Sequence, residues 1–155
     1  MAYMDTLFFE IASALNSKFP EFAHLKLEQV VSIVQFLRRK DVFAVLTTVF
    51  GKSVIFQVIL TICSMLLARG LDYPEKPIIV VICQLVSLIN SHVQELCSCG
   101  FSAACLLGHG IEEKGNKQGN YSFIFTSPES VIHNEKWHKM LQTNVYQERY
   151  VWTGD

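Results

Sequence analysis

The chain has 155 residues, half of them hydrophobic and 17% charged, with a formal net charge of −1. That length bounds it to one ordinary domain able to bury its own core, and the apolar richness excludes an intrinsically disordered chain. A charge so near zero excludes attraction to nucleic acid through the global field, so any such contact needs a local basic patch.

Residues 4–17 carry Leu7, Phe8, Ile11, Ala14 and Leu15 at the spacing of one helical face. Asp5 and Glu10 in the same stretch argue against the basic leader of a secretory signal. Phe19-Pro20 ends the helix, since the residue before proline is pushed out of the helical region, and 19–25 forms an aromatic connector. A second helix spans 27–39, with Val30, Val31, Val34, Phe36 and Leu37 apolar. Arg38-Arg39-Lys40 closes it as a solvated cationic cap that suits the helix dipole.

Residues 41–57 read DVFAVLTTVFGKSVIFQ, which predicts a buried strand over 42–46, a loop over 47–51 and a helix opening with Lys52 and Ser53. Gly-Lys-Ser at a strand-to-helix junction suits phosphate. Backbone N–H groups cradle the oxygens, the lysine reaches the terminal phosphates and the serine hydroxyl sits on magnesium. The match is partial, because the first glycine of the full pattern is Leu46 here. The apolar run over 54–68 is interrupted by Gln57 and is shorter than the roughly 20 residues that span a bilayer, so it reads as a core helix.

Gly70 is a natural helix stop. The β-branched run over 78–83 predicts a strand buried on both faces, as in a parallel sheet. A helix follows over 84–98, ended by Gly100, then a strand over 101–106 and a surface loop over 108–120. The strand over 121–126 alternates enough to lie near an edge. Ser127 then caps a helical turn with Pro128 at its first position. A short helix over 134–142 and a strand over 150–152 complete the chain. The five cysteines, Cys63, Cys83, Cys97, Cys99 and Cys105, mostly lie in apolar runs and read as reduced, buried thiols. Cys97-Ser98-Cys99 lacks the spacer of a zinc knuckle. Alternating strands and helices predict an α/β fold with right-handed crossovers on a parallel sheet. Ligands of such sheets sit beyond the strands' C-terminal ends, where 47–53, 84–87 and 126–129 would gather.

Several segments together resemble the first RecA-like lobe of a superfamily 2 DNA helicase of the RecQ type. They are Leu25-Lys26-Leu27-Glu28-Gln29, KDVFAVLTTVFGKSVIFQ over 40–57, Leu85-Val86-Ser87-Leu88-Ile89, Gly100-Phe101-Ser102-Ala103-Ala104 and Phe125-Thr126-Ser127-Pro128-Glu129, in family order and spacing. The resemblance implies a three-layer, parallel-sheet P-loop domain over 19–155, preceded by an N-terminal helix and incomplete at its C-terminus. It implies that Gln29 reads the adenine edge, that Phe22 stacks on the ring, and that Lys26 stands where the family has arginine. Thr48, Gly51, Lys52 and Ser53 would hold ATP, with Ser53 on Mg2+. Ser87, Asn90, Ser127 and Glu129 would contact DNA. Beside these roles stand plainer ones: Gln29 as a solvated helix residue, and Phe22 as a staple against the following helix.

The sequence also departs from the family. Thr47 replaces a proline and Val49 a glycine, and a β-branched residue resists the backbone angles and close approach to phosphate that glycine permits. Gln84 replaces another proline. The Asp-Glu-Ala-His box, whose carboxylates hold magnesium and position water, is not present in register with 150–155. The expectation is a truncated lobe that binds ATP and DNA, hydrolyses weakly or not at all, and is nuclear or else cytoplasmic. The alternative is a non-catalytic interaction module that meets a protein partner through the face left by the missing lobe.

Overall fold

A computed structural model describes residues 2–18, 25–40, 42, 52–107 and 119–149, which contain seven helices and three strands. The single domain expected from length divides into two compact units, Met1–Glu75 and Lys76–Tyr150. The expected strands over 42–46 and 150–152 and the loops over 47–51 and 108–118 lie outside the described residues. So does most of the connector over 19–25. Val42 alone of the first strand is described, exposed and outside regular structure.

The first unit is built from α1 (Ala2–Lys18), α2 (Leu27–Leu37) and α3 (Lys52–Ala68). On α1 the buried stripe is Leu7, Ile11, Ala14 and Leu15. Phe8, expected on the same face, is 42% exposed, because one step along a helix turns a side chain by about 100°. On α2, Ile33, Val34 and Leu37 face inward and Val31 outward. Both helices pack on α3, whose Val54, Val58, Ile59, Ile62, Cys63 and Leu66 are buried around most of its circumference. A helix that is apolar on nearly all sides is a central helix. Each of its fully buried aliphatic side chains stabilises by about 2 kcal/mol. The chain leaves α3 through a Schellman turn, in which the N–H of Gly70 bonds to the Leu67 carbonyl and that of Leu71 to the Leu66 carbonyl.

The second unit runs β1 (Ile79–Ile82), α4 (Val86–Ser98), β2 (Ala103–Cys105), β3 (Phe123–Thr126), α5 (Pro128–His133), α6 (Glu135–Leu141) and α7 (Asn144–Arg149). The three strands form one parallel sheet in the order β1-β3-β2, with Ile79 opposite Phe123 and Ala103 opposite the same residue. Successive strand residues point to opposite faces, and the packing follows that period. Phe123 meets Phe101 edge-on at 5.6 Å, and Phe125 stacks with His92 of α4 at 5.8 Å. Ile124 joins Ile78, Leu106, Trp137, Met140 and Tyr146 in a core under α6 and α7.

Two strand expectations change. The strand expected near an edge, β3, is the central one, buried at all four residues. The alternation that suggested an edge lies in the lead-in Tyr121-Ser122, not in Phe-Ile-Phe-Thr itself. Conversely, the run expected to be buried on both faces, β1, pairs only with β3 among the described residues, and its Ile82 is 55% exposed.

Candidate nucleotide and nucleic-acid site

The helix expected to open with Lys52 does begin there, directly after the glycine of Gly-Lys-Ser. Thr48, Gly51 and Phe22 lie outside the described residues, as do the side chains of Lys52 and Ser53. Lys26 and Gln29 are placed. Lys26 is the exposed N-cap of α2, and its backbone N–H donates to Oε1 of Gln29 at 2.8 Å. This is one half of a capping box, since a lysine ammonium has no lone pair with which to complete the other. Gln29 is therefore neither solvated nor turned outward: it is 5% exposed, with its amide oxygen on the helix cap.

The helix directions of this unit follow from its side-chain bonds. The Tyr73 hydroxyl, beyond the end of α3, donates to the Leu37 carbonyl at the end of α2 at 2.7 Å, and Arg39 pairs with Asp72 at 3.0 Å. The C-terminal ends of α2 and α3 thus meet, and the two helices run the same way. Their first turns, with Lys26 and Gln29 on one and Lys52 and Ser53 on the other, share one end of the unit. Helix α3 is longer than α2 by six residues. Tyr3, at the start of α1, lines a groove with Leu37 and Tyr73, so α1 runs oppositely, and further along it Glu10 pairs with Arg69 near the end of α3. Glu10 is buried and Arg69 half exposed, the guanidinium also lying 6.0 Å from the centre of the Phe9 ring.

In the second unit the expected gathering at the sheet's C-terminal edge is found for two of its three segments. The N–H of Cys83 bonds to the Thr126 carbonyl at 2.9 Å, so the ends of β1 and β3 are adjacent, and α4 and α5 start from that edge. Ser87 and Asn90 are exposed on the first turns of α4. The N-cap of α4 is Leu85, which supplies no side-chain acceptor to the first N–H groups. Ser127 is buried, and its hydroxyl accepts from the Ser130 N–H at 3.3 Å, the N-cap role read from sequence, while Glu129 is exposed. Thr126 is inward, donating to the Leu106 carbonyl at 2.8 Å. What this edge offers a ligand is neutral donors, Ser87, Asn90 and the amides of α4, with one carboxylate beside them at Glu129.

All five cysteines are free thiols. Cys63 is buried inside the first unit, which pushes its pKa up to about 12. Burial also raises Cys83 and Cys105, whereas Cys97 is exposed, so the expectation of buried thiols holds fully only for Cys63. Among the described residues no group of three His, Cys, Asp or Glu side chains is arranged to hold a metal ion. Nor is any helix there long and apolar enough to cross a membrane. Compared with known proteins, the sequence matches no family model and no curated protein.

Proposed function

We propose that this chain is a nucleotide-binding module of RecQ-like helicase type. It takes ATP with Mg2+ at the Gly-Lys-Ser turn and nucleic acid at the sheet edge, and it hydrolyses ATP weakly or not at all. The reading is carried by one juxtaposition: the helix opening with Lys52 and Ser53 starts at the same end of its unit as the helix carrying Lys26 and Gln29. A helix start is a ready anion site, and Lys52 would add the cation that reaches the terminal phosphates. The weak hydrolysis follows from Val49, whose β-branched side chain stands where the phosphate loop asks for glycine. Magnesium titration with ATP, followed by calorimetry, tests the reading. Saturable binding lost in Lys52→Ala and tightened in Val49→Gly supports it; no binding at millimolar nucleotide rejects it.

A second reading, a non-catalytic interaction module, is favoured by a different observation. Ile82, Leu85, Val86 and Leu88 are 47–60% exposed in one short stretch at the sheet edge, an apolar surface of the kind that marks association. Size-exclusion and crosslinking of Leu85→Glu against the parent chain separate the two, since only the second reading expects assembly to depend on this stretch.

A further inference from the structure

Helices α3 and α4 both end in Schellman turns whose left-handed residue is glycine, Gly70 at φ +80° and Gly100 at φ +85°. Helix α2 ends in the same turn, with the N–H of Arg39 on the Phe36 carbonyl and that of Lys40 on the Gln35 carbonyl. Its left-handed residue is Arg39, at φ +60°. A side chain with a β-carbon is strained there, and strain that glycine would relieve is a pointer to a site where the side chain itself is used. The turn has a geometric result. In a continued helix Arg38 and Arg39 would diverge by about 100°. Here both line one groove of about 380 Å³, together with Tyr3, Leu71, Asp72 and Tyr73.

Two guanidiniums and one carboxylate leave this groove with a net positive charge. Arg39 Nη2 is held by Asp72, donating to its carboxylate and to its carbonyl at 3.0 Å each. Arg38 is exposed and has no ion pair among the described residues. An anion near a helix C-terminus normally meets bare carbonyls, but here the last four of α2 are occupied. Val34 and Gln35 accept from Arg38, Gln35 also from Lys40, Phe36 from Arg39, and Leu37 from the Tyr73 hydroxyl. The repulsive end of the dipole is thus covered. Tyr73 stays a phenol: burial, and then its hydrogen bond with Tyr3, hold its pKa well above the usual range. The remaining wall is aromatic and aliphatic, from Tyr3, Tyr73 and Leu71.

We propose that this groove binds a small organic anion, an apolar or aromatic body bearing a phosphate or carboxylate that Arg38 receives. The site is separate from the proposed nucleotide site, which lies at the opposite ends of α2 and α3. Its ligand is recognised by a forked guanidinium against a planar anionic group, with the ring of the ligand against the tyrosines.

The test titrates the 155-residue chain with phenyl phosphate and with benzoate, followed by calorimetry and by chemical shifts of the tyrosine rings. Saturable binding is expected, weakened about tenfold in Arg38→Ala and less in Arg38→Lys, as loss of a charge-assisted bond dictates. Lys52→Ala should leave it unchanged, which separates this site from the nucleotide reading. Arg38 is exposed, so circular dichroism should show both Arg38 variants folded. Tighter phenyl phosphate than benzoate points to a phosphate ligand, and the reverse to a carboxylate, each within the proposal. Absence of saturation at about 10 mM, where a useful site would be filled, overturns it. So does equal binding by the Arg38→Ala variant or by neutral phenol.

Discussion

The Arg149 guanidinium donates from Nη1 to the carbonyl oxygen of Gly119 at 2.6 Å, while its Nε reaches the Lys76 carbonyl. The Arg149 carbonyl in turn accepts the N–H of Ile78 at 2.9 Å. One residue at the end of α7 therefore clips together the segments that lead into β1 and into β3. A β-carbon on Gly119 would lie 2.5 Å from Arg149 Nη1 and 2.7 Å from Val145 Cγ1. Gly119→Ala is expected to destabilise the protein by about 2 kcal/mol, as overpacking a tight contact does. Urea denaturation measures it. Arg149→Met, which leaves two carbonyls without their charged donor, should cost about the same. A midpoint unchanged in both variants would remove the clip from the account of this unit.

Gln57 is fully buried in α3, and neither its amide oxygen nor its nitrogen has a hydrogen-bond partner among the described residues. Burying an unpaired amide costs about 1–3 kcal/mol on protein-based scales. Gln57→Met keeps length and volume and removes both polar atoms. It is expected to raise the unfolding midpoint, with a gain of about 1 kcal/mol. A lower midpoint would show that the amide is satisfied in solution.

Alkaline pH should unfold the protein from within. Burial raises Cys63 from 9.0 to about 12 and Tyr146 from 10.0 to about 12, the latter against a lowering pull from Arg149. Both folded groups hold their proton where the unfolded chain has lost it. Their contribution is therefore fully present below the unfolded values and is lost as pH rises through the folded ones, a window opening near pH 9 and closing near pH 12. Denaturation midpoints should fall steadily across this range. Cys63→Val should flatten the first part of the fall, and an unchanged profile in that variant would assign the loss elsewhere.

Arg39 allows a test of the left-handed turn that is independent of ligand. Its ion pair with Asp72 is exposed at both ends, so it contributes about 0–1 kcal/mol. Arg39→Ala loses the pair and keeps the strained β-carbon; Arg39→Gly loses the pair and relieves the strain. The glycine variant should therefore be more stable than the alanine variant by about 1 kcal/mol, and close to the parent. Equal stability of the two variants in guanidinium denaturation would show that the turn relaxes in solution.

Free thiols should react in the order of their exposure. Alkylation of the native protein, read by mass spectrometry, is expected to label Cys97 first and Cys63 only on unfolding. Early labelling of Cys63 would mean that the three-helix unit opens without global unfolding.

Sequence alone determined what depends on near neighbours. The helix starts at Lys52 and Pro128, the cap at Ser127, the stops at Gly70 and Gly100 and the strands expected over 78–83 and 121–126, which become β1 and β3, rest on signals a few residues long. So did the gathering of Ser87 and Ser127 at one sheet edge, because parallel strands with helical crossovers leave no other arrangement. Tertiary structure alone decided the rest. That β3 is central and β1 only partly buried depends on pairing between residues twenty or more apart, and no pattern inside Phe123–Thr126 encodes it. Gln29 could be read as a ligand-facing or a solvated amide from its place in the helix; its bond to the Lys26 N–H is local, and only packing decided that it is buried. Glu10 against Arg69, Arg149 against Gly119, and the two arginines brought to one groove by a left-handed Arg39 are likewise long-range or conformational facts. Each is set by which surfaces had to be buried together, a requirement that the linear order of side chains leaves open.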